Sequence, residues 1–131
     1  MDLTSLRDLM PLAATLGIEL EEASPDEVRG RLAWRAELCT AGGVLHGGTL
    51  MALADSCGAV CAFLNLPEGS TGTTTIESKT NLLRAVREGV VTAATRPLHR
   101  GRSVAVIETE LSDEEGRLVA KTTQSQAFLY G

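Results

Sequence analysis

From residue 18 the chain alternates apolar and polar positions. "IELEEAS" is followed by "EVRGRLAWRAEL", in which Val28, Leu32, Trp34 and Ala36 share one parity. A period of two marks half-buried strands, and Ser24-Pro25-Asp26 between the segments is a turn signal, so they read as a strand pair. Upstream, Thr4 or Ser5 can cap a short helix over "SLRDLM". Pro11 suits the first turn of a second helix over "PLAATLG", with Gly17 ending it. These two pieces are expected to cover an edge of the core.

Residues 47–64, "GGTLMALADSCGAVCAFL", abandon the alternation. They are apolar almost throughout, with Asp55 as the one formally charged residue, and they read as a long helix. The glycine-rich loop "CTAGGVLHGG" leads into it and "LPEGSTG" closes it. Four strand-like segments follow: Thr73 to Ala85, Gly89 to His99, Ser103 to Ser112 and Leu118 to Leu129. The breaks "VREG", "HRGR" and "DEEGR" are short polar turns, which favour antiparallel neighbours. A helix that is hydrophobic nearly all round has to be enclosed, and the sheet is the only element with enough apolar surface. The expected fold is α+β: one domain over residues 1–131, with an antiparallel sheet of about six strands wrapped around a long central helix.

Composition narrows the function. The chain has 131 residues, 44% of them hydrophobic, and a net charge of −5. Four aromatics (Trp34, Phe63, Phe128, Tyr130) and an acidic balance oppose nucleic-acid binding. Cys39, Cys57 and Cys61 are odd in number and form no disulfide framework. The N-terminus lacks the basic region and apolar run of a signal peptide, so the expected compartment is the cytoplasm. A membrane span over residues 47–64 would carry Asp55 near its centre at a cost of about 3 kcal/mol, and no membrane association is expected. Two distant histidines and no paired cysteine spacing fall short of a zinc site, so no metal and no cofactor are expected.

The helix entrance carries candidate chemistry. A helix N-terminus presents unpaired N–H groups and partial positive charge, and glycine lets a ligand approach the backbone. Gly47 or Gly48 could donate to the oxyanion formed when an ester or thioester is attacked; the alternative is that Gly-Gly merely permits a tight turn. Asp55, poor in a helix interior, needs a cavity, a partner or a raised pKa. Its partner could also be local: Ser56, Thr49 or a neighbouring loop. Eight residues at about 1.5 Å each place Gly47 and Asp55 roughly 12 Å apart along one helix. If both act on one carbon, Asp55 must come from a second chain whose helix runs antiparallel, which a two-fold dimer supplies.

"GGVLHGGTLMALAD", "TTTIESKTNLLRAVREG" and "HRGRSVAVIETELSDEEGRLVAKTTQSQAFL" together resemble the PaaI-like branch of hotdog-fold acyl-CoA thioesterases, over nearly the whole chain. The resemblance implies a hotdog sheet on the central helix, a homodimer as minimal unit and usually a homotetramer. It implies that Gly47 N–H polarises the thioester carbonyl and that Asp55 of the facing subunit is nucleophile or base. Thr75 would hold the water or the carboxylate, with Thr73 and Thr74 as register alternatives. Relatives often carry Asn or Gln six residues before the histidine, where this chain has Thr40, so the second carbonyl contact is expected to be weaker, water-mediated or supplied from elsewhere. His46 is a candidate base, or a structural residue whose ring bonds loop carbonyls and fixes Gly47. Arg84, Arg87, Arg100 and Arg102, expected at adjacent strand ends, are candidates for the phosphates of coenzyme A. Cys39 with a histidine would suggest a thiol nucleophile, but nothing in the sequence orients such a pair.

The implied reaction is hydrolysis of an acyl-CoA to free acid and CoA. The polar residues Glu77, Ser78, Lys79, Thr80 and Asn81 hint at an aryl, phenylacetyl-type or short hydroxylated acyl group. A non-catalytic acyl-CoA binding module on the same scaffold is the alternative, and a hydratase a third.

Overall fold

The computed structural model describes residues 1–131. Its elements run α1 (Leu3–Asp8), α2 (Pro11–Leu16), β1 (Glu19–Ala23), β2 (Val28–Ala33), a short 3-10 turn (Ala36–Leu38), α3 (Gly47–Leu64), β3 (Ser70–Leu82), β4 (Val90–Arg100), β5 (Val104–Ser112) and β6 (Leu118–Tyr130). The six strands form one antiparallel sheet in the order β1-β2-β4-β5-β6-β3, curled over α3. This is the hotdog arrangement of the α+β class.

Local chemistry sets the boundaries. The cap of α1 is Asp2, not Thr4 or Ser5: its carboxylate accepts from the Ser5 N–H at 2.8 Å, and its negative charge suits the helix start. Gly17 ends α2 in the left-handed region at φ 77°. The Ser24–Glu27 turn closes with Ser24 N–H on the Glu27 carbonyl at 2.9 Å. β2 stops at Ala33, short of the expected Leu38. There the Trp34 N–H bonds the Gly89 carbonyl and its indole N–H bonds Gly43, drawing the chain into the loop before α3.

Two of the short polar breaks behave as read: "HRGR" and "DEEGR" join β4 to β5 and β5 to β6 as neighbours. "VREG" does not. β3 pairs with β6 at the edge, and the seven residues 83–89 cross past β6 and β5 to reach β4. Three strand spacings amount to roughly 14 Å, well within that reach. Leu83 and Arg84 N–H groups on the Val119 carbonyl, and Leu45 N–H on Val86, anchor the crossing.

The core is one cluster of 24 buried apolar residues between α3 and the sheet. Leu50, Leu53, Ala54, Cys57, Val60 and Cys61 form the inward face of α3, against Leu32, Val91, Ala93, Ile107 and Val119. Each large aliphatic side chain buried there contributes about 1.5–3 kcal/mol. By length and hydropathy alone α3 could cross a membrane, yet half of it is packed beneath the sheet.

Enclosure of α3 is incomplete. Gly48, Met51, Ala52, Asp55, Ser56, Ala59 and Phe63, spaced three and four apart, form an open stripe, with Met51 and Phe63 41% and 46% exposed. The sheet covers the other faces; a single chain leaves this one bare.

Candidate active site

The loop before α3 is pinned on both sides. Cys39 pairs with Leu45, the Thr40 N–H bonds the Val44 carbonyl at 2.8 Å, and the His46 N–H bonds the Leu38 carbonyl at 2.9 Å. Thr49, buried in the first turn, donates its hydroxyl to the same Leu38 carbonyl at 2.9 Å. His46 is the N-cap of α3, and its Nδ1 accepts from the Gly48 N–H at 2.8 Å. The ring therefore caps a backbone donor and bonds no loop carbonyl. Because Nδ1 accepts, the neutral imidazole carries its proton on Nε2.

That cap divides the two glycines. The Gly48 N–H is taken by His46, while the Gly47 N–H meets no acceptor in the chain. Gly47 faces a groove of about 370 Å³ whose walls include Thr40, Val44, Leu50, Leu82, Leu83 and Arg84. The groove is largely apolar with one guanidinium at its rim, and a carbonyl laid in it can reach the helix start. Thr40 lies in this wall.

Asp55 is half-buried within the open stripe. Its Oδ1 accepts two hydrogen bonds, from Thr75 Oγ1 at 2.9 Å and from Gln124 Nε2 at 3.0 Å. Of the three possibilities open to it, it has partners, and none is Ser56, Thr49 or a neighbouring loop. Thr75 is the threonine that meets it. Thr73, two residues earlier on the same face, donates to Gln126 Oε1 at 2.9 Å, and Gln126 Nε2 donates on to Thr75 Oγ1 at 2.6 Å. Thr74 is exposed on the opposite face.

Gln124 and Gln126 were not among the sequence candidates. Both are fully buried on β6, and Gln124 Oε1 is the one buried side-chain oxygen or nitrogen without a partner. The available signal was two amides at i and i+2 on the core parity of a strand, where polar side chains are expensive unless bonded.

The four arginines do not cluster. Arg84 and Arg87 precede β4 at the Gly47 end of the molecule. Arg100 ends β4 and Arg102 follows it, some ten residues or about 33 Å along the strand. Antiparallel pairing across the middle of the sheet, and not beside β3, separates them. Arg100 is engaged, its guanidinium 2.6 Å from Asp26 Oδ1 and bonded to the Pro25 carbonyl. Arg87 bonds the Gly42 carbonyl at 3.2 Å. Arg84 alone of the four lines the groove.

Cys57 and Cys61 are poor nucleophiles. Burial, with a smaller contribution from Cys61, pushes the Cys57 thiol up to about 12; burial pushes Cys61 up to about 11. Cys39 donates to the Arg35 carbonyl at 3.5 Å and makes no hydrogen bond to an imidazole.

Unpaired backbone N–H, half-buried carboxylate and apolar groove are the parts of an acyl-transfer site. Comparison with known proteins agrees. Residues 42–120 match the thioesterase superfamily. A thioesterase of Haemophilus influenzae superposes with a TM-score of 0.91 at 29% identity, covering 99% of this chain and 92% of the other. A mutant thioesterase of Pseudomonas aeruginosa superposes with 0.91 at 27% identity, covering 98% and 94%. The Escherichia coli 1,4-dihydroxy-2-naphthoyl-CoA hydrolase is 38% identical over 87 residues, which are 66% of this chain and 63% of that one. The chain belongs to the thioesterase superfamily, and the reaction it catalyses is the hydrolysis of a thioester.

Proposed function

We propose that the chain hydrolyses a small aryl- or phenylacetyl-type acyl-CoA to free acid and CoA, in the manner of the PaaI-like branch, at a site shared across a two-fold dimer. The observation that carries this reading is the bare stripe of α3, with Asp55 on it and the Gly47 amide unpaired about 12 Å away along the same helix. Antiparallel apposition of two such stripes buries Met51 and Phe63 and sets each Gly47 beside Asp55 of the partner subunit. Dimers of this kind pair further in related enzymes, and a homotetramer is the expected assembly.

In that arrangement the thioester carbonyl oxygen takes the Gly47 N–H. Asp55 of the partner subunit either attacks the carbonyl carbon or removes a proton from the attacking water. The tetrahedral oxyanion collapses, the C–S bond breaks and the thiolate leaves; on the nucleophilic route water then hydrolyses the acyl–Asp55 anhydride, which releases the acid and restores the carboxylate. Arg84 at the groove rim suits the phosphates, with Arg87 nearby, while Arg100 is taken up by Asp26. Thr40 supplies a hydroxyl where an amide side chain would reach further.

The acyl group has a place of its own. Ala59, one turn beyond Asp55, and Thr73 open onto a cavity of about 190 Å³ walled by Leu6, Leu9, Met10, Val60 and Phe63. An apolar cavity of about 150 Å³ is enough for benzene, so this one suits a single ring or a short chain. Its lining favours an unsubstituted ring over the hydroxylated acyl groups that the polar residues of β3 hinted at. Glu77, Lys79 and Asn81 lie exposed on the outer face of that strand.

A panel of acyl-CoA thioesters with a thiol-trapping reagent tests the reading, with light scattering to fix the mass in solution. Phenylacetyl- and benzoyl-CoA are expected to turn over, and Asp55→Asn to lose at least about 10³ in kcat with its fold intact. A protein that is strictly monomeric and fully active defeats the shared site. Background turnover alone in both parent and Asp55→Asn identifies a binding module instead.

A further inference from the structure

The hydrogen bonds around Asp55 treat its two oxygens differently. Oδ1 accepts from both Thr75 and Gln124, whereas Oδ2 has no donor in the chain and is not among the buried unpartnered atoms. One oxygen is clamped and the other is open to the stripe.

The direction of each bond follows from counting protons. A threonine hydroxyl has a single hydrogen. Gln126 Nε2 donates to Thr75 Oγ1 at 2.6 Å, so the hydrogen of Thr75 points to its remaining acceptor, Asp55 Oδ1, at 2.9 Å. Gln126 presents its nitrogen to Thr75 because the carboxylate takes the one hydrogen of Thr75 and leaves Oγ1 an acceptor; its Oε1 then faces Thr73 Oγ1, whose hydrogen is shared with the Ala127 carbonyl, both at 2.9 Å. Gln124 is oriented by the same logic. Turning its amide over would set Oε1 against the carboxylate oxygen, two acceptors in contact.

Gly58 makes room for this. It lies three residues after Asp55 on the same helix, and a Cβ there would overlap the Gln124 amide. The amide occupies the space of the missing side chain at Gly58, and its Oε1 is left unbonded. An orphaned buried carbonyl lowers stability, so an aliphatic side chain would suit the core better at position 124. A group that costs stability and contacts the carboxylate is the signature of function over packing.

We propose that Gln124 and Gln126 are positioning residues of the hydrolase. Gln124 clamps Asp55 Oδ1 so that Oδ2 is the oxygen presented to water or to the acyl carbon. Gln126 directs the hydroxyl of Thr75 to the same Oδ1. This rests on the reading of Asp55 as the reacting carboxylate. It adds which oxygen reacts and what holds the other.

The experiment compares the parent chain with Asp55→Asn, Gln124→Met, Gly58→Ala, Gln126→Met, Thr75→Val and the Gln126→Met/Thr75→Val double variant, by steady-state thiol release and thermal unfolding. Gln124→Met is expected to lower kcat at least tenfold, leave KM within twofold and keep or raise the unfolding midpoint. Gly58→Ala displaces the same amide from the helix side and is expected to give the same kcat-against-KM split, with a lower midpoint because its Cβ overpacks the buried amide. Gln126→Met is expected to lower kcat in the parent but to add nothing in the Thr75→Val background, since it acts through that hydroxyl. A purely structural amide would lower the midpoint and spare kcat per folded molecule. Gln124→Met and Gly58→Ala with parental kcat, beside an active parent and a dead Asp55→Asn, overturn this assignment alone. An inactive parent overturns the functional reading and this assignment with it.

Discussion

Replacement of His46 separates capping from chemistry. The imidazole accepts the Gly48 N–H at 2.8 Å on an exposed helix start, and loss of such a cap costs about 1 kcal/mol. In a chain of 131 residues that lowers the unfolding midpoint by about 3–4 °C. His46→Ala frees Gly48 and loosens the turn holding the Gly47 N–H. Removing an oxyanion donor outright costs about 10²–10³ in kcat; loosening one is expected to cost roughly tenfold. His46→Asn supplies a neutral cap acceptor and is expected to restore both midpoint and kcat. His46→Asp caps at least as well and gains from the helix dipole, so its midpoint matches or exceeds the parent's. Its charge, however, sits beside the forming oxyanion. At about 5 Å the repulsion is roughly 3 kcal/mol at an effective dielectric of 20, and exposure screens it to about 1 kcal/mol, or roughly fivefold in rate. Differential scanning fluorimetry and thiol release on the four proteins read both axes. A His46→Asn variant with parental midpoint but kcat down at least 10³-fold would refute the reasoning and assign the imidazole to proton transfer.

Further outcomes follow from the same geometry. Cys57 and Cys61 are held as thiols to about 12 and about 11 in the fold, while the unfolded chain ionises them near 9. The unfolded state then binds fewer protons, so stability is fully present below about pH 9 and is lost as pH rises toward those values. Urea melts from pH 7 to 10.5 are expected to show that decline, and Cys57→Ala to flatten it; a parent with no decline contradicts the burial. In native protein at pH 8 an aromatic disulfide reagent is expected to titrate Cys39 alone, and all three thiols in guanidinium. Arg84→Ala is expected to raise KM for acyl-CoA several-fold and to weaken its salt dependence. Arg100→Ala, which breaks an exposed pair with Asp26 and a bond to the Pro25 carbonyl, is expected to leave KM unchanged and stability within about 1 kcal/mol. The reverse ranking would move the phosphate site to the other end of β4.

Much of the architecture was legible because its signals are local. Period-two alternation located β1 and β2, and the polar turns bounded β4, β5 and β6, within three residues at each end, apart from the stop of β2 at Ala33. The apolar run located α3 to the residue. The pairing of β3 was not local. "VREG" has the composition of a hairpin turn, yet strand order depends on which side of α3 the chain returns. The open stripe escaped for a related reason. A helix apolar all round needs cover on every face, but the sequence does not divide that cover between its own sheet and a second copy.

At the site, Asp55 and Gly47 stood out as residue types out of place, a charge in an apolar helix and a glycine pair at its start. Gln124 and Gln126 obeyed the strand period and so passed as sheet residues. What conceals them is a bulge in the partner strand. Across β3–β6 the register runs Thr73↔Phe128, Thr75↔Gln126, then shifts between Thr75 and Glu77 before Ser78↔Gln124 and Thr80↔Thr122. A bulge inserts one residue and reverses the parity beyond it. Before it Thr73 and Thr75 face inward; after it Ser78 and Thr80 do, with Thr80 and Thr122 in hydrogen-bond contact at 2.6 Å. Strict alternation from Thr73 would aim Glu77, Lys79 and Asn81 into the core. With the extra residue they point to solvent, the inner face carries only small hydroxyls, and two long amides from β6 have the space to reach Asp55.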